Sequence, residues 1–160
     1  MKKELEDNLI QKYHEFFDYL DEGRKIHTDD DPIKVAKELI EQKNIVYPIQ
    51  FGFECGDGWY WLLDNLMNTI QSYCKNNKKP IINVTQIKEK FGGLRFYYDG
   101  GDDRIDGMVW LAEELSYHIC ETCGTTNHVG QTSVGWIYTI CKDCLEKNSS
   151  ANSLDWKENE

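Results

Sequence analysis

The sequence predicts an α+β fold: helices packed on a small antiparallel sheet, followed by a compact cysteine-bearing module near the C-terminus. Three observations predict it. Apolar residues recur at helical spacing in four stretches, residues 81–98 alternate around a glycine break, and two C-x-x-C pairs stand 17 residues apart. At 160 residues and 40% hydrophobic composition the chain is long enough for one domain with a buried core. It divides into an N-terminal helical segment (1–48), an α+β core with a basic hairpin (49–117), a cysteine module (118–148) and a polar tail expected to be disordered (149–160).

The elements follow in order. Leu5, Leu9, Tyr13, Phe16 and Leu20 form one stripe, widened by Ile10 and Phe17, which predicts an amphipathic helix over 4–21. Asp31 before Pro32 reads as the start of a second helix running to about Lys43 and burying Ile33, Ala36, Leu39 and Ile40. Ile49, Phe51 and Phe53 alternate with polar residues, a short strand pattern. Asp57 then stands where it could cap a third helix, from about Trp59 to Lys75, and Pro80 ends that stretch. Ile81 to Lys88 and Leu94 to Tyr98 read as two strands joined through Phe91-Gly92-Gly93, where glycine supplies positive φ. Asp99 to Arg104 makes a turn and an acidic helix start, and a fourth helix buries Ile105, Val109 and Ala112.

Charge narrows the function classes. The net charge of −10 argues against generic attraction to nucleic acid or anionic lipid. The average hides a segregation, because Lys75 to Arg95 holds six bases and one acid, leaving 12 positive and 27 negative charges on the other 139 residues. On the acidic body, Glu15, Asp18, Asp21 and Glu22 form a candidate partner-binding face. On the basic island, Lys88, Lys90 and Arg95 flank Phe91 and Tyr97, cations beside aromatic faces that suit phosphate contact and base stacking. A solvated hairpin whose lysines pair with acidic helices of the same chain is the plainer account of the island, and contact with a protein partner is a third. No apolar run reaches the length of a membrane helix and the first residues lack a signal-peptide pattern, so a cytoplasmic protein with reduced thiols is expected.

Cys120-Glu-Thr-Cys123 and Cys141-Lys-Asp-Cys144 have the spacing of a four-thiolate zinc site. Each C-x-x-C turns two sulfurs toward one tetrahedral ion, and the intervening segment folds back to deliver the second pair. A knuckle, a small hairpin over 128–140 and a second pair at a helix start is the order of a treble-clef finger, which we prefer to a zinc ribbon. The ion reads as structural, because four thiolates leave no position for an activated water. His118 and His128 are alternative ligands, and Cys55 and Cys74 read as buried free thiols. Asp99, Asp102, Asp103 and Asp106 could gather a hard cation, but a capped helix start explains them better. No motif marks a nucleophile or a general base, so no enzyme is expected.

Ile87-Lys-Glu-Lys-Phe-Gly-Gly-Leu-Arg-Phe-Tyr-Tyr98, with Ile119-Cys-Glu-Thr-Cys-Gly124, Gly135-Trp-Ile-Tyr-Thr-Ile-Cys-Lys-Asp-Cys144 and Gly56-Asp-Gly-Trp-Tyr60, resembles a family of small four-cysteine proteins encoded in phages and prophages. The resemblance covers about residues 50–145. It implies a non-enzymatic phage protein in the bacterial cytoplasm that binds and inhibits a host defence effector, of anti-CRISPR type. The implied partner is a host effector protein such as an RNA-guided nuclease, or its guide RNA, and the acidic surfaces would engage the effector's basic, nucleic-acid-handling surface. The basic hairpin leaves a second reading, an RNA-binding or cyclic-nucleotide-sequestering module.

Overall fold

The N-terminal helix is shorter than its stripe of apolar residues. In the computed structural model, which describes residues 1–18, 49, 52–148 and 155–159, α1 spans Lys3–Lys12 and ends where Tyr13 turns to φ −120° and ψ 39°. A 3₁₀ turn, His14–Phe16, follows. The expected helix over 4–21 is corrected accordingly: Tyr13, Phe16 and Phe17 are buried from the turn, so helical spacing is satisfied without a continuous helix. The Tyr13 hydroxyl donates to the Asp64 carbonyl at 2.9 Å, and the Phe17 ring lies 6.0 Å from that of Phe53. The expected helix over 31–43, Phe51, and Asp21 and Glu22 of the acidic face lie outside the described residues.

No strand runs through Ile49 to Phe53 among the described residues. Ile49 and Phe53 are buried, but the Phe53 amide donates to the buried Glu6 carboxylate at 2.9 Å instead of a ladder. Only Glu54 makes a bridge, parallel to Lys88.

Helix α2, Tyr60–Asn77, is preceded by a 3₁₀ turn at Asp57–Trp59. Its buried face carries Leu63, Met67 and Ile70, with Trp59 buried just ahead of it. The expected cap at Asp57 is also corrected. Its carboxylate accepts from the Lys2 amide at 2.7 Å and pairs with Lys2 Nζ at 3.2 Å, so it fastens the start of α1 instead of closing α2. The bond from the Lys2 amide, with the Lys2 ammonium, holds that carboxyl below its ordinary range.

The hairpin forms as expected, with β1 at Asn83–Lys90 and β2 at Gly93–Asp99. Ile87 faces Phe96, Lys88 faces Arg95 and Lys90 faces Gly93 in an antiparallel register. Phe91 and Gly92 make the two-residue turn, with φ of 55° and 76°. Two left-handed residues twist the turn to match the strands. Helix α3, Asp103–Ser116, packs along β2 and completes its open edge: Leu94 N donates to Ser116 Oγ at 2.8 Å and Phe96 N to Glu113 Oε1 at 2.9 Å. Asp102 caps α3 through the amides of Arg104 and Ile105 and also receives Lys79 Nζ at 2.6 Å and the Tyr73 hydroxyl at 2.8 Å. Those bonds, Lys79 first, hold its carboxyl far below the usual range.

Beyond α3 the chain makes a second sheet from β3, Val129–Thr132, β4, Thr139–Cys141, and β5, Trp156–Glu158, in the order β4-β3-β5. Helix α4, Lys142–Lys147, follows β4. Strand β5 corrects the expectation of a disordered tail for these residues. Trp156 packs on the small apolar cluster of Val129 and Ile140 and donates from Nε1 to the Ile140 carbonyl at 3.0 Å, enough to draw a polar segment into register with Gly130 to Thr132. The larger core joins α1, α2, the hairpin and α3. No helix among the described residues is long and apolar enough to cross a membrane.

Candidate metal centre

The four cysteines of the two C-x-x-C pairs converge. Their Sγ atoms all lie within 4.8 Å of one another, and Cys123 Sγ stands 3.7 Å from Cys141 Sγ. A tetrahedral ion with metal–sulfur bonds of about 2.3 Å separates its sulfurs by about 3.8 Å, so the cluster fits such an ion. A disulfide needs about 2.0 Å, and all six cysteines are free thiols. Burial raises the thiol pKa of Cys120, and burial with the neighbouring thiols raises that of Cys144. A cation that takes up the four sulfurs displaces those protons and neutralises the crowded charge.

Local structure delivers each sulfur. Cys120 and Cys123 sit in a knuckle in which Gly124 N donates to Cys120 O at 2.8 Å and Cys120 N to Thr125 O at 2.8 Å. Cys141 ends β4 and flanks the start of α4, and Cys144 lies in the first turn of that helix. Knuckle, hairpin and helix start follow one another in the treble-clef order. Cys120 and Cys141 are buried, whereas Cys123 is exposed. His118 and His128 are not in the cluster, and His128 Nδ1 bonds Glu158 Oε1 at 2.9 Å.

The knuckle is clasped to the start of α2. Gly58 N donates to Glu121 O at 2.8 Å, Gly56 N to Glu121 Oε1 at 2.8 Å and Trp59 Nε1 to Ile119 O at 3.0 Å. The contact is close enough that a Cβ on Gly58 would fall 2.1 Å from Cys120 O. On the opposite side Thr139 Oγ1 donates to Gly92 O, joining β4 to the hairpin turn. Sequence reasoning did not find this clasp. Gly56 and Gly58, on either side of Asp57, are its only trace there.

Family models, curated proteins and solved structures contain no match to this chain.

The remaining candidate residues divide. Lys88 and Lys90 point outward from the hairpin, with Nζ 5.3 Å from the centre of the Tyr97 ring and 5.5 Å from that of Phe91. Neither forms an ion pair among the described residues. Arg95 is drawn away from them: its guanidinium bonds the Leu94 carbonyl and the Tyr117 hydroxyl and approaches Glu113 at 3.9 Å. Of the acidic face, Glu15 accepts from Gln71 at 3.2 Å and Asp18 lies 3.2 Å from His14 Nδ1. Both line a cleft that also holds Lys75 and Lys79, so the described part of that face is mixed in charge. Asp102 and Asp106 are committed to the α3 cap and to the Tyr98 hydroxyl, and the cysteine quartet is the sole metal-type cluster among the described residues. Cys55 is buried, its thiol pushed up to about 12 by desolvation, as befits a packing residue.

Proposed function

We propose that this chain is a non-enzymatic, phage-encoded binding protein that blocks an RNA-guided host defence effector by gripping its RNA with the outer face of the β1–β2 hairpin. The metal is zinc in this reading, held as a staple. Four thiolates fill a tetrahedral shell, so the ion contributes rigidity and no reactive position.

The observation that carries the reading is Phe91. It occupies a left-handed turn position at φ 55°, where a bulky L-residue costs roughly 1–2 kcal/mol, and its ring is 68% exposed. Folding gains little from an aromatic there. A base stacked on the ring gains about 1–3 kcal/mol, with Lys90 beside it and Lys88 beside the Tyr97 ring as phosphate contacts. Strain stored at an exposed residue points to function.

Fluorescence anisotropy of labelled single-stranded RNA, run across a salt series with the purified protein, tests this. Binding should weaken steeply with salt and fall about tenfold or more in a Lys88→Ala/Lys90→Ala variant, along with inhibition of RNA-guided cleavage. Inhibition that survives this variant but is lost on charge reversal at Glu15 and Asp18 would transfer the contact to the acidic face and a basic protein surface. RNA binding unchanged by the lysine substitutions would overturn the hairpin reading.

A further inference from the structure

Helix α3 is amphipathic on its buried side, yet its opposite side is not uniformly polar. Trp110 is 65% exposed, Leu111 54% and Leu115 44%, and Trp61 of α2 stands across the groove at 67%. Trp61, Leu111 and Leu115, though not Trp110, line the groove between the two helices, about 180 Å³, which has no charged lining among the described residues. On the same side lies Gly107, in mid-helix, where an added Cβ would meet nothing within 4 Å. Glycine there costs the helix about 1 kcal/mol relative to alanine, and no described residue uses the space.

We infer that this face binds a second copy of the chain, with the two α3 helices antiparallel about a two-fold axis beside Val109. In such a pair, residues whose numbers share a constant sum face each other. With that axis Leu111 of each copy lies over Gly107 of the other, a large side chain over the one position that leaves room for it. The same axis sets Arg104 of each copy opposite Glu114 of the other. Both are exposed and neither has an ion pair among the described residues, though the Arg104 guanidinium stands 5.9 Å from the centre of the Tyr73 ring. The complementarity of shape and of charge thus comes from one operation on one helix.

Area and net charge agree with this partner. The exposed parts of Trp61, Trp110, Leu111 and Leu115 amount to roughly 500 Å², more than half of the approximately 800 Å² per partner in a standard interface. Two molecules of net charge −10 repel through most of their surfaces, and a groove lined by no charged residue among those described lets them meet without burying like charges there. The inference is independent of the hairpin reading, because the residues involved are on other elements.

Sedimentation velocity of the full chain across concentrations from about 1 μM to 1 mM tests it. A reversible monomer–dimer equilibrium is expected. Arg104→Glu alone and Glu114→Arg alone should each weaken it about tenfold, and the double reversal Arg104→Glu/Glu114→Arg should restore it, since each exchanged charge again faces its opposite. Thermal melts of the same variants confirm that these exposed substitutions leave the monomer folded. A monomer throughout the range would overturn the inference, whether residues 31–43 of the same chain or another protein covers the groove. So would a dimer that ignores the single reversals, or one that the double reversal fails to rescue.

Discussion

Single residues carry the junction between the two cores. Gly58 is the tightest case: a Cβ there would stand 2.1 Å from Cys120 O and 2.5 Å from Gly124 N, both backbone atoms of the metal knuckle. Backbone cannot turn aside as a flexible side chain can, so Gly58→Ala must push the knuckle away from α2. Overpacking of this kind costs about 1–3 kcal/mol, and here the displaced group carries two cysteines of the candidate metal site. We expect Gly58→Ala to lower Tm and, in a competition with a chromogenic chelator, to release metal more readily than the parent. Unchanged metal retention would mean that the knuckle does not depend on its clasp. Both partners stand out in the sequence, but their approach to each other does not. The cysteine spacing is local and chemical, so it could be read directly, whereas the approach of Gly58 to Cys120 joins segments far apart in the chain.

At the scale of elements, legibility follows the length of the pattern. Helices α2 and α3 bury long runs at helical spacing and emerge near the expected bounds, as does the hairpin, whose strands alternate around glycine. Short elements fail because few residues vote and tertiary partners decide: α1 stops at Lys12 once Tyr13 can reach Asp64, and β5 exists because Trp156 finds the Ile140 carbonyl. The hairpin turn combines both. Its position follows from Gly92, but the left-handed conformation of Phe91 does not follow from a residue that normally avoids it. Phe91→Asn supplies the side chain that two-residue turns prefer before glycine and should stabilise the protein by about 0.5–1 kcal/mol in urea unfolding. The same change removes the exposed ring, so RNA affinity should fall while stability rises. A variant that loses stability would show that the ring packs usefully where it stands, and the argument from strain would fail.

At the scale of the molecule, two apolar clusters of unequal size are held as one body. The larger can stand on burial alone, with Trp59, Leu63, Met67, Ile82, Ile87 and Leu94 fully enclosed. The smaller has four buried apolar residues among those described, two of them cysteines of the candidate metal site, a core so small that a bound ion would be its main support. Thiol counting separates them. With a metal on the quartet the native protein should show almost no reactive thiols, because four would be ligands and Cys55 and Cys74 are buried in the main core. A chelator should expose the four of the quartet first, and denaturant the remaining two. Metal binding contributes on the order of 10 kcal/mol to sites of this kind, so its removal should unfold the small cluster outright. The clasp through Gly56, Gly58 and Trp59 couples that loss to the start of α2, which predicts a lower Tm for the body as well. Release of all six thiols together by chelator alone would mean that the metal module holds up the main core. Four reactive thiols before any chelator is added would mean that the quartet binds no metal.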